Sequence, residues 1–304
     1  MVAPGCWVVS KSGCTITPLL IRHRTHYAYS SPVTLGQHRL LLRPRGGHDL
    51  RITSSNLTIG PLPSKLVRAR DMHNNSVSTV TFDAVPTSSL TFASEVEVEH
   101  YDVKPLDFVV EERAVWYPFV FTPSERMELT PYLNPVFNAD QNAIATWVGE
   151  FLQLGGQVET YALLDQINRN IATTFKYQPR EEAGVQRPSA TLDKRSGSCR
   201  DFATLMIEAC RHLGLPARFV SGYASTADIP AAKGATHAWT EVYLPGAGWK
   251  GFDSTGGVVA GQNHIAVAGG RDPESLPPVA GAFPSEVADV TSELKVDVSV
   301  TRRV

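Results

Sequence analysis

The sequence predicts an α+β chain: an N-terminal antiparallel β-sandwich, then helices, then further strands. Three observations predict it. Residues 18–103 alternate apolar and polar side chains in short runs broken by turn residues. From residue 138 the apolar period lengthens to that of a helix. Beyond Pro216 the strand alternation returns and runs to the C-terminus.

At 304 residues the chain is long enough for two domains, each with its own core. Its composition, 42% hydrophobic and 19% charged, is that of an ordinary globular protein. A formal charge of -2 gives no overall attraction to nucleic acid or anionic membrane. No apolar run approaches the roughly 20 residues of a membrane helix, so no membrane partner is expected. The first thirty residues lack a basic start followed by an unbroken apolar stretch, and a cytoplasmic location is expected. The four cysteines, Cys6, Cys14, Cys199 and Cys210, are too sparse for a disulfide scaffold. Cys6 and Cys14 lack a second pair at zinc-ligand spacing, and no cofactor or metal is expected.

The first strands are "LLIRHRTHYAY", "QHRLLLRPR", "DLRITSSNLTI", "KLVRARD", "SVSTVTFDA" and "SLTFASEVEVEHYDV", rich in Val, Thr, Leu and Phe. Turn clusters "RGGHD", "GPLPS" and "DMHNNS" separate them. His23, His26, His38 and His48 read as separate exposed strand positions and not as a metal cluster. The aromatic, proline-rich stretch 104–137 reads as an ordered connector, since disordered linkers seldom carry so many aromatics.

A catalytic domain is expected over 138–304. Its first helix, over 138–154, puts Ile144, Trp147, Val148, Phe151 and Leu152 on one face, with Asn138 or Asp140 as cap. A second, over 158–175, aligns Leu163, Leu164, Ile167, Ile171 and Phe175. The third begins at Cys199, is capped by Ser196 or Ser198, faces Phe202, Leu205, Met206, Ala209 and Leu213 to the core, and ends at Gly214. Strands follow at "PARFVSGYAS", "THAWTEVYL", "GWKGFDS", "HIAVAG" and, after a Gly/Pro-rich loop, "ELKVDVSVTRRV".

Cys199 therefore lies in a first helical turn, where free N–H groups and the positive end of the helix dipole favour a thiolate and can bind an oxyanion. Gly197 allows a sharp turn and close approach of a substrate. Cys210, mid-helix, reads as inert filler. Asp201 suits the helix dipole, and works against a thiolate if it points at the sulfur.

Residues 236–257 read as a β-hairpin carrying His237 and Asp253. A four-residue loop over 245–248, closing on Leu244 and Trp249, sets His237 opposite position 256 and Asp253 about three residues away. A bulge or looser loop is then needed to bring them together. Nucleophile, base and orienting acid are thus Cys199, His237 and Asp253. Trp239 and Glu241 share the face of His237, with Trp239 as core and site wall. His264 is a weaker alternative base, and His212 a cation at a helix C-terminus.

"GSCRDFATLMIEACRHLGLPARFVSGY", "HAWTEVYLPGAGWKGFDSTGG" and "HIAVAGGRDPESLPPVAG" resemble the bacterial transglutaminase-like superfamily, also described as predicted cysteine proteases. "HYAYSSPVTLGQHRLLLRPR" and "DMHNNSVSTVTF" resemble that group's N-terminal β-domain. The resemblance implies a papain-like, transglutaminase-like core in which a Cys-bearing helix packs on an antiparallel sheet that carries His237 and Asp253. It departs from the family pattern at "DST", where Asp-Pro-Thr is common, and at Arg200 and Thr204, where Gln and His are common.

The expected function is cysteine-dependent acyl transfer on a peptide or protein substrate through a thioester, with hydrolysis favoured over amine transfer. A non-catalytic peptide- or protein-binding module with a vestigial triad is the alternative of another class. A metal held by Cys199 and His237 is a third. The oligomeric state and the second oxyanion donor are not legible.

Overall fold

The computed structural model describes residues 17–101, 105–152, 156–180, 182–225, 236–282 and 290–303; Cys6, Cys14 and the N-terminal stretch lie outside them. In chain order the first strands are β1 (Thr17–Val33), β2 (His38–Leu40), β3 (Leu50–Gly60), β4 (Lys65–Arg70), β5 (Ser76–Thr81) and β6 (Thr87–His100). Helix α1 (Glu112–Val115), the short β7 (Trp116–Tyr117) and α2 (Pro123–Leu133) occupy the expected connector. A 3-10 turn at Asn138–Asp140 leads into α3 (Gln141–Gly149). Then come β8 (Val158–Glu159), α4 (Thr160–Thr174), β9 (Lys176–Tyr177), α5 (Pro188–Lys194), β10 (Ser196–Gly197) and α6 (Cys199–His212). The remaining strands are β11 (Ala217–Ala224), β12 (His237–Leu244), β13 (Gly248–Asp253), β14 (Val258–Val259), β15 (His264–Gly270), β16 (Val279–Gly281) and β17 (Ser292–Arg302).

The N-terminal strands form two antiparallel sheets, β17-β1-β6-β3 and β16-β2-β5-β4. Tyr29, Leu40, Val80, Leu90 and Phe92, drawn from both sheets, share one apolar cluster. The C-terminal strand β17 pairs with β1 along Leu19–Tyr29, and β16 pairs with β2. The chain end therefore completes the N-terminal sheets instead of extending a unit over 138–304. The reason is local: β1 is 17 residues long and would otherwise present a long unpaired edge.

The second half is an α+β layer with a central sheet, β14-β13-β12-β11-β15, and α6 packed on β11 and β12. The apolar stripe of α6 predicts a helix with one solvated face, but α3, α4 and α5 cover the other side, and Asp201 through Arg211 are all buried. Each polar residue there has a partner. Thr204 donates to the Arg200 carbonyl, Asp201 pairs with Arg180, and Glu208 pairs with Arg211 at 2.8 Å. Asp140 does not cap α3 with its side chain; it accepts from the Arg187 guanidinium and the Ser189 amide.

The two halves meet along β11 and β15. The Tyr223 hydroxyl donates to the Leu42 carbonyl and lies 3.0 Å from His23 Nδ1. Asn75 bonds both the amide and the carbonyl of Gly269, and the Arg45 amide donates to the Ala266 carbonyl. His26 bonds Thr91 and His38 the Gly36 carbonyl, so these histidines serve separate contacts, but His23 and His38 are buried between packed strands and not exposed as expected.

Glu208 also accepts from the amides of Val136 and Phe137, which ties the connector to α6. Arg211→Met leaves that buried carboxylate without its cation. It should cost about 3 kcal/mol or more of stability, read as a lower urea midpoint with unchanged slope.

Candidate active site

The three residues that the sequence singled out are brought to one end of the central sheet by two local devices. The first is the start of α6. Ser198 is the N-cap, and the Asp201 carboxylate reaches back to accept from its amide and its hydroxyl, both at 2.8 Å. Asp201 also accepts from Arg180 and from the Gln186 amide. It is thus fully engaged with the cap and Arg180. Gly197 leaves room for this: a Cβ there would lie 2.9 Å from that of Asp201. Cys199 opens the helix, half-buried, at the floor of a cleft of about 730 Å³.

The second device is the β12–β13 hairpin. Its loop has three residues, not four: Leu244 pairs with Gly248 and Tyr243 with Trp249. Gly246, at φ 83, and Gly248, at φ 73, supply the left-handed residues that so tight a turn needs. This one-residue difference from the expected register decides the site. A slip of one residue sends every side chain of a strand to the other face. Thr240 pairs with Phe252, so continuing the ladder sets Asp253 opposite Trp239, on the face that also carries His237. His237 and Asp253 are then diagonal neighbours, within reach of each other without a bulge. His237 Nε2 lies 2.8 Å from Asp253 Oδ2.

Thr240, on the same strand, donates to the Ala203 carbonyl of α6 and locks the His-bearing strand to the Cys-bearing helix. His237 and Cys199 line the same cleft, with Tyr177, Arg200, Ser221 and Ser198. His237 is 2% exposed and Asp253 not at all. With Nε2 taken by Asp253, the buried Nδ1 has no hydrogen-bond partner among the described residues. Cys199 stands close enough to act on this ring, without a well-aligned hydrogen bond. Burial would lower the imidazole pKa. The Asp253 hydrogen bond and the neighbouring sulfur outweigh burial and raise it from 6.5 to about 10. Burial likewise pushes the Asp253 carboxyl up, but two imidazoles hold it far below the usual carboxylate range.

The second of those imidazoles is His264, 3.0 Å from Asp253 Oδ2. Its place in the sequence suggested a base, but its Nε2 faces Asp253 and it does not line the cleft that holds Cys199. Trp239 is 2% exposed, with its ring 5.2 Å from His264 and 6.3 Å from His237, so it packs core and walls the rear of the site. Glu241 pairs with Arg218, and His212 lies 3.2 Å from Gln141. Cys210 is buried, and burial pushes its thiol up to about 12. His237, Asp253 and His264 place ligand-type atoms within 4.8 Å of one another; Cys199 is not in that group.

Tyr177 escaped the sequence reading. Parallel pairing of β9 with β10 sets it beside Gly197 and near the Cys199 thiol. Burial, then the charges of Cys199 and Asp253, raise its hydroxyl pKa to about 12. Only the two-residue pairing brings it there, and "FKYQP" carries no period that announces it.

The sequence profile of the transglutaminase-like superfamily matches residues 152–254, and that of the bacterial transglutaminase-like N-terminal region matches residues 19–99. An uncharacterized protein of Mycobacterium tuberculosis is 31% identical over 293 residues, 91% of this chain and 91% of its own. A crystal structure of a candidate cysteine protease from Cytophaga hutchinsonii superposes with a TM-score of 0.72 at 18% identity, over 95% of this chain and 91% of its own, and shares the fold. A protein-glutamine gamma-glutamyltransferase of Pseudomonas aeruginosa is 35% identical over 101 residues, 31% of this chain and 15% of that protein.

The raised His237 pKa sets a pH window. A group whose folded pKa exceeds its unfolded value contributes stability that is complete below the unfolded pKa and is lost as pH rises through the folded one. For His237 that window runs from 6.5 to about 10. The stability advantage of the wild type over His237→Gln should therefore shrink steadily across it, measured by urea unfolding at fixed ionic strength.

Proposed function

The chain belongs to the transglutaminase-like superfamily, and on that premise we propose that it is a cysteine-dependent acyl-transfer enzyme acting on amide bonds of peptides or proteins. One observation carries the proposal. His237 gives Nε2 to Asp253, its buried Nδ1 has no hydrogen-bond partner among the described residues, and its ring shares the cleft with Cys199. Such a ring is oriented by an acid and, with its pKa raised to about 10, holds the proton that the thiol gives up.

The proposed reaction begins with transfer of the Cys199 proton to His237 Nδ1. The thiolate attacks the amide carbonyl, and its C–S bond forms as the carbonyl π electrons move to oxygen. First-turn N–H groups of α6 and the Tyr177 hydroxyl, which lies by the thiol, would donate to that oxyanion. Collapse of the intermediate breaks the C–N bond, and the departing nitrogen takes the proton from His237. The thioester then accepts either water or a second amine, with His237 now removing the nucleophile's proton. Water gives a carboxylate and amine gives a new amide; both regenerate the thiol.

Hydrolysis is the favoured outcome, because the acyl-enzyme faces a cleft of about 730 Å³ that water can fill. Amine transfer uses the same first half-reaction and is the alternative. A binding module with an idle triad is the reading of another class.

Incubating the wild type and Cys199→Ala with a peptide library, followed by mass spectrometry, separates these outcomes. The expected result is a protein-bound acyl adduct and cleaved peptides with wild type only. Cross-linked products in place of cleaved ones assign transfer, and identical spectra from the two proteins remove the enzymatic reading. His237→Ala should lower turnover by about 10²–10⁴-fold. At pH 6 it should also slow alkylation of Cys199 by iodoacetamide.

A further inference from the structure

Asp253 has more partners than orienting one imidazole requires. Its Oδ2 is shared by His237 at 2.8 Å and His264 at 3.0 Å, and its Oδ1 accepts the Thr255 amide at 2.9 Å. We propose that His264 is a positioning residue: its Nε2–H fixes the Asp253 carboxylate in the orientation His237 needs, extending the row to Cys199, His237, Asp253 and His264. The functional consequence rests on the acyl-transfer reading above; the geometric claim does not.

The surroundings of His264 support that role. Its amide donates to the Gly261 carbonyl at 2.8 Å, and its Nδ1 lies 3.4 Å from the Gly261 amide, on the accepting side of a long hydrogen bond. An accepting Nδ1 leaves the proton of a neutral ring on Nε2, where it points at Asp253. The His264 carbonyl lies 3.2 Å from His100 Nε2, so a residue of the N-terminal sheets steadies this backbone. The Trp239 ring stands edge-on at 5.2 Å and limits rotation of the imidazole. His264 is 7% exposed and lines a second cavity of about 270 Å³, distinct from the cleft of Cys199. It thus supports Asp253 from behind while His237 uses it from the front.

The Thr255 amide holds Oδ1, and the two imidazoles converge on Oδ2; without His264, Oδ2 keeps a single donor and can follow the His237 ring as it moves. Ionisable groups around the row are Cys199, Tyr177, Arg180, Arg200 and Glu274 on the cleft side, and His100, Arg45, His48, Asp49, Arg218, Glu241 and Lys250 around the cavity behind. Residues that orient metal ligands from behind change activity by about 10–100-fold when lost, and a loss of that order is expected here.

The test compares wild type, His264→Ala and His264→Gln, whose amide keeps an N–H donor. Iodoacetamide alkylation of Cys199 is followed from pH 5 to 9, and ring N–H resonances of His237 by NMR. In His264→Ala, alkylation at pH 6 should fall by about 10-fold or more, its pH profile should move, and the His237 Nε2–H signal should broaden or shift. His264→Gln should restore all three. Should His264→Ala not fold, His264→Phe keeps the ring volume without the donor. An unchanged profile and unchanged His237 signal in the Ala or Phe variant, with only a lower melting temperature, would overturn the proposal. So would a wild-type rate that changes on adding a chelator, because the three buried side chains would then be holding an ion. Failure of the acyl-transfer reading looks different: wild type and His237→Ala would alkylate alike, while the His237 signal would still report whether His264 holds Asp253.

Discussion

A carboxylate with no exposed surface must find in the protein the compensation that water would have given, and Asp253 finds it in two imidazoles and one amide. Removing an ion of this size from water costs several kcal/mol even after relaxation. The charge persists only because three donors converge on it, and each comes from a different turn of the backbone. The rest of the site inherits its geometry from that requirement. His237 must present Nε2 to the acid, so Nδ1 is left for the cleft. Ser254 donates to Asn168 of α4, and the Asn168 amide donates to the Val258 carbonyl, so the turn after Asp253 is fixed from outside as well.

The convergence depends on register more than on residue type. A hairpin with one more loop residue would keep the same sequence of His237, Trp239 and Asp253 and yet point the acid away from the ring. Three loop residues with a left-handed Gly246 prevent this. The Thr240 hydroxyl bond to α6 then sets the strand's height against Cys199. The geometry of the site is therefore set partly in a turn some ten residues away from the imidazole.

Much of this was legible in the chain. The cap at Ser198, the helix from Cys199, the His–Trp–Glu alternation and the strand at "ELKVDVSVTRRV" all follow from local period and capping chemistry. What was not legible depended on pairing between distant segments. The loop length misled by one residue because "LPGAGW" fits either closure, and only packing against the rest of the sheet selects one. The buried polar face of α6 was hidden because Asp201, Glu208 and Arg211 look like solvent residues until Arg180 and the amides of Val136 and Phe137 arrive. Tyr177 and His264 enter the site through contacts that no local pattern encodes. The terminal strand reads clearly as a strand, but its partner, β1, lies some 270 residues earlier, and alternation alone does not choose a partner.

The N-terminal sheets act on the site through β15. His100 holds the His264 backbone, Asn75 closes both sides of Gly269, and Tyr223 carries its hydroxyl into a pocket made by His23 and Leu42. These are buried polar contacts, and each member left alone would be costly. They fix β15, directly and through its neighbour β11, and hence His264, against the N-terminal sheets. The ends of the chain reinforce this, since β17 closes the sheet edge of β1. The N-terminal sheets can in this way set how firmly the acid is held, because β15, whose His264 contacts Asp253, is anchored in them.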